Sequence, residues 1–174
     1  MRDDRDSNGK NAFHRAASEH NLNLVKEMCE IDPVGVGAPA MLRMWINSET
    51  RYGETPLLIS AMLLHRGENE GLNKDREVFI DYLLANGALV NTCNNYTLWT
   101  PATWAARHGD EALLEKLLGR GAMPFTPDVK GYFPIDYAGK FEHYDIVKRL
   151  VEVSIEKFTK LKECQTSANS VGRG

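Results

Sequence analysis

The side chains that most often carry enzyme chemistry are few in this sequence, and their spacing forms no catalytic pattern. No two of the five histidines show the HExxH spacing of a zinc hydrolase: His14, His20, His65, His108 and His143. There is no GxSxG, Walker A or GxGxxG segment, and the nearest glycine loop, Gly35-Val36-Gly37, lacks the lysine of a phosphate site. We therefore predict that the chain is not an enzyme and that it uses no metal ion, cofactor or small-molecule substrate.

Cysteine usage and the first residues indicate a compartment. Cys29, Cys93 and Cys164 are odd in number and form no CxxC pair, which argues against a disulfide framework and favours a reducing compartment. The charged segment Met1–Asp6 is not followed by the apolar region of a secretory signal, and no apolar run of about 18 residues occurs. We expect a cytoplasmic protein, with the nucleus left open, that does not insert into a membrane.

Length and charge set the class of fold and partner. The chain has 174 residues, the size of one domain, and a formal net charge of −3. A weakly acidic chain has no overall attraction for nucleic acid or anionic lipid, although a local basic patch remains open.

Four segments of the chain share one pattern. The clearest copy is Gly53-Glu54-Thr55-Pro56-Leu57-Leu58, with echoes that begin at Asn11, Thr100 and Phe133. A small residue follows each start by five positions: Ala16, Ser60, Ala105 and Ala138. Each copy then runs at helical period to an apolar pair: Met28-Cys29, Leu83-Leu84, Leu117-Leu118 and Leu150-Val151. The step from Thr100 to Phe133 is 33 residues, and the longer steps of 44 and 45 residues before it require two insertions.

This pattern resembles the ankyrin repeat over roughly residues 6–152. The resemblance implies an all-α solenoid of helix–turn–helix units with β-hairpin loops, in four repeats at about 6–49, 50–94, 95–127 and 128–152. An N-terminal arm (1–5) precedes them. An extended C-terminal helix (153–164) and a small, polar, disordered tail (165–174) are expected to follow.

Local chemistry agrees with the helix–turn–helix unit. Thr55 and Thr100 are expected to cap helices that begin with proline, and Gly87 and Gly121 are expected in left-handed caps. His14 stands where the family has a structural histidine.

The two insertions differ in character. Val34–Met44 is apolar and lies ahead of Trp45, so it either folds back as a short helix or serves as a docking element. His65–Asp75 is polar and is expected to be a mobile loop between the two helices of the second repeat.

In the ankyrin family, partner contacts lie on the loop fingers and first helices. Carried onto this chain, that resemblance gives eleven candidate binding residues: Arg51, Tyr52, Glu54, Tyr96, Trp99, Arg107, His108, Lys130, Tyr132, Lys140 and Phe141. Aromatic and arginine side chains of this kind dominate interface hot spots. Each aromatic could instead pack between repeats, which is the favoured interpretation for Trp104.

The mixture of basic and aromatic residues favours a protein or peptide partner with an acidic or aromatic stretch. It is also typical of a nucleic-acid groove, but Glu49, Glu54 and Asp128 dilute it. We therefore predict a protein-interaction module, with two alternatives: a regulatory ankyrin domain of a larger enzyme or channel that makes intramolecular contacts, and a direct inhibitor of an enzyme such as a kinase.

One modification site follows from the resemblance. Asn91 matches the loop asparagine that asparaginyl hydroxylase modifies in ankyrin proteins, and the expected leucine eight residues earlier is Leu83. The alternative is a purely structural asparagine.

Overall fold

The computed structural model describes residues 5–21, 23, 38–63 and 70–171, and every secondary-structure element in these ranges is an α-helix. In chain order they are α1 (Ala12–Glu19), α2 (Ala38–Ile46), α3 (Pro56–Met62), α4 (Glu70–Ala85), α5 (Pro101–His108), α6 (Glu111–Gly119), α7 (Pro134–Lys140) and α8 (Tyr144–Val171). None of the described helices is both long and apolar enough to span a bilayer.

The predicted Thr-Pro helix starts are confirmed. The hydroxyl oxygen of Thr55 accepts a hydrogen bond from the backbone N–H of Leu58, and that of Thr100 accepts one from Thr103. A cap of this type satisfies one of the backbone donors that a helix leaves unpaired. In the fourth copy Phe133 cannot cap, and its own N–H instead donates to the Asp136 carboxylate at 2.8 Å.

His14 has the structural role predicted for it. The backbone N–H of Asn11 donates to Nδ1 of His14, so Nε2 carries the proton and reaches the carbonyl oxygens of Ser48 (3.0 Å) and Glu54 (3.1 Å). Burial lowers the pKa of His14 below its usual 6.5, although both carbonyl contacts oppose that shift. The neutral ring therefore ties α1 to the loop that enters α3.

The first helices form a row, with α1 against α3, α3 against α5, and α5 against α7. The small residues predicted at the fifth position are all fully buried in that row: Ala16, Ser60, Ala105 and Ala138. Leucines and isoleucines from the second helices, such as Leu83, Leu114 and Leu150, complete one continuous core. Stacking of this kind buries the apolar face that a single unit would expose.

A loop precedes each of the four first helices, and one side chain in each loop organises its backbone. We call these loops fingers. Asp6, Thr50, Asn94 and Asp128 each accept hydrogen bonds from backbone N–H groups two and three or four residues later. Neighbouring fingers are joined by backbone bonds from Arg51 to Asn8, from Asn95 to Tyr52 and from Val129 to Thr97. The described fingers are built from turns, so the paired strands implied by a β-hairpin are absent from them.

The first inserted segment takes the helical one of its two predicted alternatives, and the second contains helix where a loop was predicted. Residues 38–44 of the first insertion form most of α2, which continues through Trp45 and the fully buried Ile46, while 34–37 lie outside the described residues. Trp45 packs on Phe13 with the ring centroids 6.2 Å apart, and this contact gives the apolar segment a reason to fold back. In the second insertion, residues 70–75 belong to α4 and correct the prediction of a loop there, and 64–69 lie outside the described residues.

The predicted disordered tail is also corrected. Helix α8 continues to Val171, so 165–171 extend it, and 172–174 are not among the described residues. No proline or glycine interrupts the chain between Tyr144 and Val171, and extending an existing helix avoids the cost of nucleating a new one.

Candidate interaction groove

Five aromatic residues from two repeats converge beside the third and fourth fingers. We call this set the aromatic cluster: Trp99, Trp104, Tyr132, Tyr137 and Phe141. Trp99 lies between Trp104 of α5 and Tyr137 of α7, with ring centroids 4.7 and 4.8 Å apart in edge-to-face geometry. Tyr132 contacts Tyr137 at 6.1 Å, again edge to face. Such pairs contribute about 0.5–1.5 kcal/mol each beyond the area that they bury.

The guanidinium of Arg107 contacts three of the five rings of the cluster. The guanidinium carbon lies 4.9 Å from the ring centroid of Phe141, 5.4 Å from that of Trp99 and 6.0 Å from that of Trp104. A cation beside several aromatic faces is stabilised by their quadrupoles, more so when it is partly desolvated. Phe141 therefore joins the cluster through Arg107.

Asp128 fixes the finger that carries Tyr132. One of its carboxylate oxygens accepts from the backbone N–H groups of Lys130 (2.8 Å) and Tyr132 (2.9 Å). The other accepts from the Trp99 indole N–H at 3.2 Å and from the Tyr137 hydroxyl. A single acid residue thus connects two repeats.

The electrostatics of Asp128 follow from these four donors. Burial by itself raises the pKa of Asp128, but the hydrogen bonds from Tyr137, Tyr132, Trp99 and Lys130 outweigh it and hold the pKa at about 2. Burial and the neighbouring carboxylate raise the pKa of Tyr137 to about 12. The pair stays carboxylate and phenol across the physiological range.

A second aromatic contact lies on the fingers of the second and third repeats. Tyr52 and Tyr96 approach with ring centroids 5.8 Å apart, and Tyr96 is 68% exposed. Arg51 beside them is exposed, whereas Glu54 is half-buried and its carbonyl oxygen is one of the acceptors of His14.

The remaining predicted residues border the cluster. His108 is half-buried, and its ring lies 5.3 Å from that of Trp104. Lys130 and Lys140 are exposed, and the ammonium of Lys140 lies 6.0 Å from the Phe141 ring. Eight of the eleven predicted binding residues thus make ring or cation–ring contacts with one another or with the cluster. The other three lie on fingers: Arg51 and Glu54 on the second, and Lys130 on the fourth.

Two members of the site were missed by sequence reasoning. Tyr137 was not singled out, and Asp128 was considered only as an acidic diluent of the groove. A signal for Tyr137 existed, because Tyr137 and Trp104 both directly precede the small residue of their repeats. Trp104 packs on the core, the interpretation favoured for it, and its ring also contacts Trp99.

Asn91 lies away from the cluster, on the loop after α4. Its side-chain N–H donates to the Gly121 carbonyl at 3.3 Å, and its oxygen accepts from the Met123 N–H at 2.8 Å. Asn47 makes the same pair of contacts with Gly87 and Leu89 one repeat earlier. These bridges give Asn91 a structural role, and its hydroxylation stays a prediction.

A family model described as ankyrin repeats (3 copies) matches residues 72–160, about half of the chain. The chain belongs to the ankyrin repeat family. The predicted family and all-helical repeat fold are thereby confirmed. Ankyrin repeats generally act as non-catalytic protein-interaction modules, the class predicted from the sequence.

Individual relatives match a shorter part. The chain is 40% identical over 74 residues to the ARF GTPase-activating protein GIT1 of Homo sapiens and of Mus musculus. It is 35% identical over 74 residues to the ARF GTPase-activating protein GIT2 of Mus musculus. Each match covers 42% of this chain and 10% of the relative, so the chain matches only about a tenth of the length of these curated relatives.

Proposed function

We propose that this chain binds a protein partner through the surface formed by its fingers and first helices. The observation that carries the proposal is the convergence of the aromatic cluster on Arg107. Three aromatic side chains of this surface remain open to solvent: Tyr96 at 68%, Tyr132 at 52% and Phe141 at 38%.

Two physical features support binding by this surface. The rings are already ordered by contacts with one another and with Asp128, so less conformational entropy is lost when a partner docks. Large aromatic side chains beside an arginine also supply the residue types that carry most binding energy in known interfaces. A cytoplasmic or nuclear location belongs to the same proposal and rests on the cysteine usage.

The test compares two triple variants in affinity capture. The first changes Tyr96, Tyr132 and Phe141 to alanine, and the control changes Tyr144, Ile155 and Phe158, which are 68%, 60% and 68% exposed on α8. We expect a partner captured by the unchanged chain to be retained by the control and lost from the first variant. Circular dichroism and urea unfolding establish that both variants are folded. Equal capture by both would contradict the proposal.

A second candidate is favoured by the length of the relatives. Because they are about ten times longer than the matched segment and are named as GTPase-activating proteins, the chain could function as the regulatory ankyrin segment of a larger protein. Its surface would then contact another domain of the same polypeptide. Sequencing the full transcript tests this: a longer reading frame with a catalytic domain supports it, and cross-linking of that domain to Tyr96 or Tyr132 would locate the contact.

A further inference from the structure

The guanidinium of Arg107 lies beside aromatic rings and donates no hydrogen bond to any residue that the structure describes. It is half-buried and lies within 6.0 Å of three aromatic rings. Aromatic faces attract the positive charge but accept none of the five strong N–H hydrogen bonds that a guanidinium can donate. Among the described ranges, no carboxylate lies within ion-pair distance of it.

Two other arginines of this chain donate hydrogen bonds to carboxylates. Arg76 donates to the Asp110 carboxylate at 2.8 Å, and Arg149 pairs with Glu115. Arg107 differs from both because its contacts are with rings.

Asp128 is the acidic residue that is linked to Arg107 through a shared neighbour, and both of its carboxylate oxygens already accept hydrogen bonds. Asp128 shares Trp99 with Arg107, yet its two oxygens accept from four donors within its own finger and cluster. Lys140 adds a second positive charge beside Phe141, and Lys130 lies exposed on the same finger as Tyr132. Glu142 is exposed directly after Phe141 and is the acidic neighbour in sequence. The surroundings of Arg107 therefore offer donors and positive charge that no described acceptor uses.

We infer that the Arg107 position receives an aspartate or glutamate carboxylate of the partner, flanked by an apolar residue that packs on Tyr132 and Phe141. This inference rests on the proposed function, since it names the chemistry of the partner at the same surface. A guanidinium matches a carboxylate with two parallel hydrogen bonds and a single balancing charge.

The geometry favours a carboxylate over a phosphate group. A phosphorylated side chain carries about −1.5 to −2 charge and is typically bound by clusters of arginines. Here a single guanidinium contacts three of the rings, and the Lys140 ammonium lies 6.0 Å from the Phe141 ring centroid. A singly charged acid side chain is the better match.

The experiment uses a displayed library of random 12-residue peptides, selected on the full chain and counter-selected on the Tyr96, Tyr132 and Phe141 triple-alanine variant. Each enriched peptide is synthesised in three forms: as selected, with acidic residues replaced by their amides, and with one acidic residue replaced by phosphoserine. Binding of each form is measured by calorimetry to the unchanged chain, to Arg107→Gln and to Arg149→Gln. Arg149 is the control because it lies on α8, outside the fingers and first helices of the proposed binding surface, where it pairs with Glu115. Quenching of tryptophan fluorescence provides a second readout, since two of the three tryptophans flank Arg107.

The expected result is that amide replacement weakens binding to the unchanged chain by about 10- to 100-fold, the range for a hydrogen bond to a charged group. Binding to Arg107→Gln should be weaker for the acidic peptide and insensitive to the amide replacement, a double-mutant coupling that a folding defect would not produce. Arg149→Gln should bind as the unchanged chain does.

The other outcomes separate this inference from the proposed function. Peptides that need Tyr96, Tyr132 and Phe141 but not an acidic residue or Arg107 would overturn the inference and leave the proposed function standing. Binding only by the phosphoserine form would overturn it in favour of a phosphopeptide. No enrichment over the triple variant would count against both.

Discussion

Several side chains in this protein each form hydrogen bonds with more than one group. Asp128 shapes its own finger through two backbone donors and links two repeats through Trp99 and Tyr137. His14 likewise joins α1 to the loop before α3. Such multiply bonded groups fix local geometry because losing one of them leaves several donors or acceptors unmatched.

Replacing Asp128 with asparagine should destabilise the chain by about 1–2 kcal/mol, because the amide nitrogen cannot accept the bonds that one carboxylate oxygen now accepts. The sign of the pH effect follows from the pKa, which is about 2 in the folded state against an ordinary 3.8. The contribution of Asp128 to stability is therefore complete above pH 3.8 and is lost as the pH falls towards 2. Urea unfolding at pH 6 and at steps between pH 4 and 2 measures both effects.

The matched control is Asp75→Asn, an exposed carboxylate on α4. It should leave the unfolding midpoint at pH 6 close to that of the unchanged chain. An acid-induced loss of stability that is as steep in Asp128→Asn as in the unchanged chain would show that Asp128 is not its source.

Two glycines with a left-handed backbone allow the cost of backbone strain to be measured apart from the cost of a steric clash. Gly109 and Gly121 have φ angles of +75° and +84°, and a Cβ at Gly109 would lie 2.7 Å from the His143 ring, whereas nothing lies within 4 Å of one at Gly121. Gly121→Ala should lower the free energy of unfolding by about 1–2 kcal/mol, because a residue with a Cβ is strained in the left-handed backbone conformation. Gly109→Ala should cost more, because the ring that donates to the Arg107 carbonyl must also move.

Urea unfolding of the two alanine variants measures that difference. Gly109→Ala should in addition change the tryptophan fluorescence, since His143 anchors the end of α5 that carries Arg107. Equal destabilisation of the two variants would rule out a role for the His143 contact.

At the scale of helices, Arg76 connects the second and third repeats. Its side chain is 2% exposed, and it donates to the carbonyl oxygens of Ser60 and Ala61 at the end of α3. It also pairs with Asp110, whose other oxygen caps α6 by accepting from the Leu113 N–H. One guanidinium thus serves the end of one helix and the start of another.

Breaking this ion pair should destabilise the chain strongly, because it leaves the buried Arg76 guanidinium without its counter-charge. We expect Asp110→Ala to destabilise the chain by about 3–5 kcal/mol. The control is Glu115→Ala, which removes the partner of Arg149 on the surface, where the two side chains are 45% and 30% exposed. Solvent and salt screen that pair, so its loss should be much smaller.

Denaturant unfolding of both variants at low and at high salt distinguishes the two ion pairs. The effect of Asp110→Ala should persist in high salt, and that of Glu115→Ala should fade. A cost for Asp110→Ala no larger than that for Glu115→Ala would mean that the buried pair does not join the repeats.

At the scale of the whole molecule, stability comes from contacts between adjacent repeats. The first half of α8 belongs to this stack, because Ile146, Leu150 and Val153 are buried against it. Beyond that point the character of the helix changes, since Ile155 and Phe158 are 60% and 68% exposed. The domain and the extension therefore meet within one continuous helix.

Two truncations test where the cooperative unit ends. A chain that stops at Ser154 should unfold at nearly the same urea concentration as the full chain, because it keeps the three buried residues of α8. A chain that stops at Phe141 should unfold at a clearly lower concentration, since the face of the third repeat that α8 covers becomes exposed. Equal midpoints for both truncations would contradict this boundary.

The amino-acid sequence by itself determined the features that depend on near neighbours. Proline and threonine at fixed spacing specify a helix start, and a small residue five positions later specifies a close helix contact; both were readable because the groups involved lie within one turn. Repetition at a fixed period then specified the stack. The inserted segment that became α2 was not readable in this way, because its helix is favoured by packing on Phe13.

Only the tertiary structure decided which side chains of different repeats meet. Arg107 and Phe141 are 34 positions apart, as are Arg76 and Asp110, and Trp99 and Asp128 are 29 apart. Their pairing depends on the rotation and spacing between stacked repeats, which no local pattern encodes. The sequence was sufficient to place aromatic and basic residues on one surface. Trp99, Trp104 and Phe141 meet around Arg107 only because neighbouring repeats stack against each other.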